Sequence, residues 1–97
     1  MTNTIRISPE QMRSRAREYQ TEAENIQTSI CQMDRLLNCL ISEWEGEASQ
    51  AFNSRYNELR PSFISMQQLI EEISVSLDNT ATAMEETDAK IARQFRG

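Results

Sequence analysis

Apolar side chains recur along the first half of the chain at alternating intervals of four and three: Met12, Ala16, Tyr19, Ala23, Ile26, Ile30, Met33, Leu37, Leu40 and Trp44. This spacing places them on one side of an α-helix, as in coiled coils and bundles. A half-buried strand would alternate every second residue, and no stretch does so. The second half repeats the spacing through Phe52, Tyr56, Leu59, Phe63, Met66, Ile70, Ile73 and Leu77, then turns polar through Thr80, Met84, Thr87 and Ile91. The pattern predicts an all-α fold, an antiparallel helix-turn-helix hairpin in a single domain. Helices are expected over 8–43 and 48–95, joined by a turn at 44–47 and preceded by a flexible stretch at 1–7.

Local signals place the ends. Ser8-Pro9-Glu10-Gln11 reads as a capping box: the Ser8 hydroxyl accepts from the Gln11 amide, and the Gln11 side chain accepts from the Ser8 amide. Pro9 at the first helical position loses no needed donor, and Glu10 suits the positive end of the helix dipole. Gly46 supplies a positive φ at the reversal. Trp44 ends the first stripe, either as a plug for the core or as part of a docking surface beside the turn. Pro61 falls at an outward position while the stripe keeps its phase, so it predicts a bent but continuous helix. Asp78-Asn79-Thr80 reads as a cap for a new helix or as a polar turn of the old one. From about residue 78 the stripe thins, and the tail is expected to order on binding.

A two-helix hairpin covers each stripe on one side only. Tyr19, Ile26, Ile30, Met33, Leu37, Leu40, Phe52, Tyr56, Leu59, Phe63, Met66, Ile70 and Ile73 form the expected core and dimer seam, with Leu36, Ile41, Leu69 and Val75 flanking it. A fully buried aliphatic side chain contributes roughly 1.5–3 kcal/mol. Half a dozen left half-exposed would therefore forfeit several kcal/mol, comparable to a small domain's whole stability. Pairing two hairpins into a four-helix bundle recovers that burial. The partner is a second copy or a related chain; either satisfies the physics.

Composition narrows the chemistry. The 97 residues carry a net charge of −5, all of it in the second half: residues 1–40 hold five Arg and five acidic groups, and 41–97 hold five basic and ten acidic. An acidic surface disfavours nucleic acid and anionic membrane as partners. Arg13, Arg15 and Arg17, close to Glu10 and Glu18, read as a solvated face. There is no His, which removes the usual neutral-pH acid–base group, the Ser-His and Cys-His nucleophile pairs and most zinc sites. No catalytic residue, cofactor or metal is expected. Glu43, Glu45 and Glu47 sit at a polar turn and serve helix starts and solubility. Eight helical residues put Cys31 and Cys39 ~12 Å apart, too far for a disulfide, so free thiols are expected. No apolar run approaches the ~20 residues of a membrane span. Met1 to Ile7 has one Arg and no apolar stretch, unlike a secretory signal peptide.

The central Trp44-Glu45-Gly46-Glu47-Ala48, Phe52 four residues after Ala48, the opening Ser8-Pro9-Glu10 and the flanking heptads together resemble the WXG family of about one hundred residues. These are the early-secreted-antigenic-target-like substrates of type VII secretion systems. The resemblance spans nearly the whole chain. It implies a non-catalytic helical dimer, formed with itself or a WXG paralogue, that leaves the cytoplasm without a signal peptide. It would act as a substrate, and as an adaptor or virulence factor. It also implies a carboxy-terminal export signal read by an FtsK-like ATPase. The version with Tyr, three residues and an acid is missing, since no Tyr follows Tyr56. Met84, Asp88, Ile91 and Phe95 fit the looser pattern, and their spacing puts them on one helical face. The competing readings are a cytosolic coiled-coil adaptor that is never exported and a membrane-active toxin. The acidic surface disfavours stable insertion of the latter.

Overall fold

The computed structural model describes residues 7–44 and 46–96. The expectations for most of the N-terminal stretch, for Glu45 in the turn and for Gly97 lie outside the described residues.

Two helices account for the fold: α1 over Pro9–Glu43, 35 residues, and α2 over Glu47–Arg96, 50 residues. The first begins with the capping box that Ser8-Pro9-Glu10-Gln11 encodes. The Gln11 amide donates to Ser8 Oγ at 3.1 Å, and the Ser8 amide donates to Gln11 Oε1 at 2.9 Å. It ends where Trp44 adopts an extended backbone (φ −119°, ψ 101°) while its amide still donates to the Leu40 carbonyl at 2.9 Å. Gly46 has φ +133°, a conformation that side-chain-bearing residues rarely adopt. Glu47, assigned from sequence to the turn, is instead the first residue of α2. The Ser49 hydroxyl donates back to the Gly46 carbonyl at 2.8 Å and is buried, which pins the turn to the first turn of α2.

The second helix runs through Pro61 and through Asp78-Asn79-Thr80 to Arg96 without a break. Pro61 is exposed, so the carbonyl deprived of its donor can be hydrated. At Thr80 the hydroxyl donates to the Ser76 carbonyl at 2.8 Å, an intrahelical bond rather than the cap of a new helix. Arg93 and Arg96 lie in the last turn, where positive charge suits the dipole.

The hairpin measures 77 × 25 × 16 Å. A helix the length of α2 spans about 75 Å and one the length of α1 about 52 Å. The long dimension is therefore α2 alone, and its C-terminal end overhangs the start of α1 by about 20 Å.

What lies between the helices is thin. Among the described residues Ala16, Ala23, Ile30 and Ala81 are the buried apolar ones, and Ser49 and Ser74 the buried polar ones. Among the described residues no large side chain is fully buried. Small residues let the backbones approach, and the Ser74 hydroxyl donates to the Ala16 carbonyl of the facing helix at 2.8 Å.

Candidate interaction surface

The α2 stripe read from the sequence as one seam is two. Tyr56, Phe63, Ile70, Leu77 and Met84 are half-buried, in register with buried Ser49, Ser74 and Ala81. The alternate members Phe52, Leu59 and Met66 are 58%, 40% and 48% exposed, and Ile73 is half-buried. In α1 the same division leaves Ile30 buried and Leu37 half-buried, whereas Tyr19 and Leu40 are exposed and Ile26 and Met33 half-buried. The physical reason is the shortage of neighbours. A lone pair of helices buries one row per helix, and the adjacent row turns outward.

The outward rows share one edge of the hairpin. Ile26, Met33 and Met66 line a common open groove of ≈ 390 Å³, floored by Ile30 and Phe63 and rimmed by Glu22, Asn25 and Ser29. The edge runs seven residues at a time through Tyr19, Ile26, Met33 and Leu40 in α1 and Phe52, Leu59, Met66 and Ile73 in α2. Leu36 and Leu69 lie exposed beside it. At its turn end the Trp44 and Phe52 rings pair with centroids 5.5 Å apart and planes tilted by 57°. Trp44 is half-buried there, packed at a tilt against a ring that is itself exposed.

The opposite edge is polar and cross-linked. Asp34 of α1 receives a two-pronged contact from Arg60 of α2, Nε to Oδ1 at 2.9 Å and Nη2 to Oδ2 at 2.8 Å, and the Tyr56 hydroxyl donates to Oδ1 at 2.6 Å. The Arg60 hydrogen bonds, and then that of Tyr56, hold the Asp34 carboxyl below the usual carboxylate range. Partial burial, and then the Asp34 carboxylate, push the Tyr56 phenol up. Arg13 lies near the free end of this edge. Its guanidinium donates to Thr82 Oγ1 at 3.0 Å and to Glu85, and lies 3.8 Å from Asp78. It departs from the solvated face expected of the three neighbouring arginines, whereas Arg15 pairs within its own helix to Glu18 at 2.8 Å. Sequence reading passed over Asp34, Arg60 and Arg13 as interhelical ties. The available signal was register: Arg13 and Asp34 are three heptads apart, in the row next to Met12 and Met33.

The four tail residues lie on α2 as its inner row runs past α1. Met84 is half-buried, Asp88 exposed, Ile91 46% exposed and Phe95 88% exposed. With Leu77 and Ala81 they keep the four-three spacing, so the stripe that packs on α1 further back continues here uncovered. Cys31 and Cys39 are free and exposed. Among the described residues no group of His, Cys, Asp or Glu could hold a metal ion, and no helix is long and apolar enough to cross a membrane.

A hairpin with one greasy edge, a tryptophan–glycine reversal and an overhanging second helix has close counterparts. The chain is 39% identical to Protein YukE of Bacillus subtilis (strain 168) over 97 residues, all of both proteins. It is 30% identical over 91 residues to the Type VII secretion system extracellular protein A of Staphylococcus aureus (strain USA300), 94% of each. The crystal structure of Geobacillus thermodenitrificans EsxA superposes with a TM-score of 0.86 at 42% identity, covering 95% of this chain and 99% of that one. Residues 4–89 match the family described as proteins of 100 residues with WXG, and the chain belongs to that WXG100 family.

Proposed function

We propose that this protein is a substrate of a type VII secretion system, exported as a folded homodimer in which two hairpins join through their apolar edges into a four-helix bundle. The uncovered apolar edge carries the dimer. The hairpin exposes 7706 Å², against roughly 5,700 Å² for a compact monomer of this mass. Elongation accounts for part of the excess. The exposed surface includes Leu40, Phe52, Leu59 and Met66, large apolar side chains of the kind that a standard stable interface of ~800 Å² per partner removes from water.

Export is supported by the family and by the relative named for its type VII secretion and extracellular location. In this reading the chain is cytoplasmic before export and extracellular after it, and its work is recognition, not catalysis. An FtsK-like secretion ATPase reads the overhang through Met84, Asp88, Ile91 and Phe95, and Trp44 and Gly46 shape the opposite end for docking. Deleting residues 84–97 is expected to remove the protein from the culture medium while light scattering still returns the mass of a dimer. Normal export of the truncated chain would sink the tail assignment. A monomer at micromolar concentration that pairs only with a WXG paralogue would replace the homodimer by a heterodimer.

A further inference from the structure

Among the described residues, three polar ties join the helices: Asp34 to Tyr56 and Arg60, Ser74 to the Ala16 carbonyl, and Arg13 to the end of α2. Only the last lies beside the overhang. Arg13 reaches Asp78, Thr82 and Glu85, three residues spaced four and three apart and so on one side of α2. Past Glu85 no side-chain hydrogen bond or ion pair among the described residues connects α2 to α1. The apolar packing ends at the same level, with Ala81 fully buried, Met84 half-buried, and Ile91 and Phe95 exposed.

From this juxtaposition we infer that Arg13 is a positioning residue for the export segment. It anchors α2 at the last turn the two helices share, and so presents Asp88, Ile91 and Phe95 as a helix rather than as a frayed end. The inference rests on the export reading given above. About ten unpacked residues cannot sustain a helix alone, because nucleation is unfavourable and helices shorter than ~12–15 residues are marginal in water. The overhang must therefore propagate from a fixed turn, and its helicity depends on where fixing stops. With Arg13 in place that point is Glu85. Without it the point retreats to Ala81, a full turn nearer the core, and Met84 joins the fraying segment. The Arg13 side chain is 32% exposed, and an exposed ion pair is weak. One planar guanidinium held by three partners is stronger than a single exposed pair and still weak beside the packing of the whole hairpin. A change of that size leaves the dimer standing and is felt only where the helix is already marginal.

The test is amide hydrogen exchange on the full-length purified dimer, paired with export from cells. Arg13→Ala is expected to speed exchange about three- to fivefold across residues 82–92 and leave the amides around Ile30 and Phe63 unchanged. It should reduce export without altering the dimer mass. Arg13→Lys keeps the charge but not the fork, and should fall between. Ile30→Val loosens the hairpin core away from the tail and should leave tail exchange and export at wild-type levels, which separates positioning from general stability. Unchanged tail exchange in Arg13→Ala overturns the inference. So does faster exchange with normal export, provided that deletion of 84–97 blocks export. If the 84–97 deletion is exported normally, the export reading itself fails, and the inference falls with it whatever the exchange shows.

Discussion

At the scale of single residues, the reversal and the polar edge make the sharpest predictions. Gly46 has φ +133°, yet a Cβ added there meets nothing within 4 Å. The penalty of Gly46→Ala is thus backbone strain and not a clash, about 1–3 kcal/mol, to be read from chemical denaturation. Larger side chains should be little worse than Ala, because the space is open. Asp34 makes a different prediction, one that depends on pH. Its folded pKa is lowered by Arg60 and then by Tyr56, so the unfolded chain binds its proton more readily than the folded one. The stabilisation is fully present above the unfolded value of ~3.9 and is lost as pH falls through the lower folded value. Asp34→Asn should therefore melt lower than wild type at pH 7, and the gap should close as the pH drops below 4. A gap that persists unchanged at pH 2–3 would show that the carboxylate charge is not what Arg60 and Tyr56 hold. The turn glycine and the Ser8 capping box were legible in the sequence because each is a local device, complete within four residues. The Asp34–Arg60 tie was not, because its partners lie on different helices and only the register of the hairpin brings them together.

At the scale of the helix, periodicity revealed both elements and their polarity, but not which row faces inward. Adjacent rows, offset by three or four residues, both repeat every seven, and a lone hairpin has room for only one of them. The row that won in α2 is marked by Ser49, Ser74 and Ala81, residues too small or too polar to register as hydrophobic. Their contribution is closeness, since they admit the backbone of α1 and let Ser74 bond to a main-chain carbonyl. Large apolar residues fill both rows, Tyr56, Phe63, Ile70 and Leu77 in the inner one and Phe52, Leu59 and Met66 in the outer one, so size alone does not say which faces inward. Ala23, fully buried, tests this account. Ala23→Leu adds hydrophobicity to the predicted seam, and on a hydrophobicity argument alone it would stabilise. If the helices are held by close approach, it must push them apart and cost about 1–3 kcal/mol through overpacking, read as a lower denaturant midpoint. The overhang follows from the same comparison of rows. Beyond Met84 the stripe still carries Ile91 and Phe95, but α1 no longer reaches far enough to cover them.

At the scale of the molecule, the two edges of the hairpin divide the work. The polar edge is closed within the chain by Asp34–Arg60 and Arg13–Glu85, so it needs no partner, and covering it would desolvate charges already paired. Among the described residues nothing closes the apolar edge. Two hairpins meeting there bury like against like, which a two-fold arrangement permits because each copy offers the same surface. In the proposed dimer the outward members of this row, and not the inner ones, form the interface. Met66→Glu places a carboxylate in each half of that interface. Against an apolar surface an unpaired charge costs about 3 kcal/mol or more, so the dimer should weaken at least a hundredfold, seen as a monomer mass by light scattering at micromolar concentration. Val75→Glu is the matched control. Val75 is as exposed as Leu36 or Leu69, but it sits among Gln68, Glu71, Glu72 and Ser76, away from the groove, and its charge should leave the dimer intact. The same logic links stability to concentration: if most apolar burial is made between chains, the wild-type melting temperature must rise with protein concentration, and that of Met66→Glu must not. A wild-type midpoint independent of concentration over a hundredfold range, with a monomer mass throughout, would mean that the hairpin stands alone and that its apolar edge is kept for a different partner.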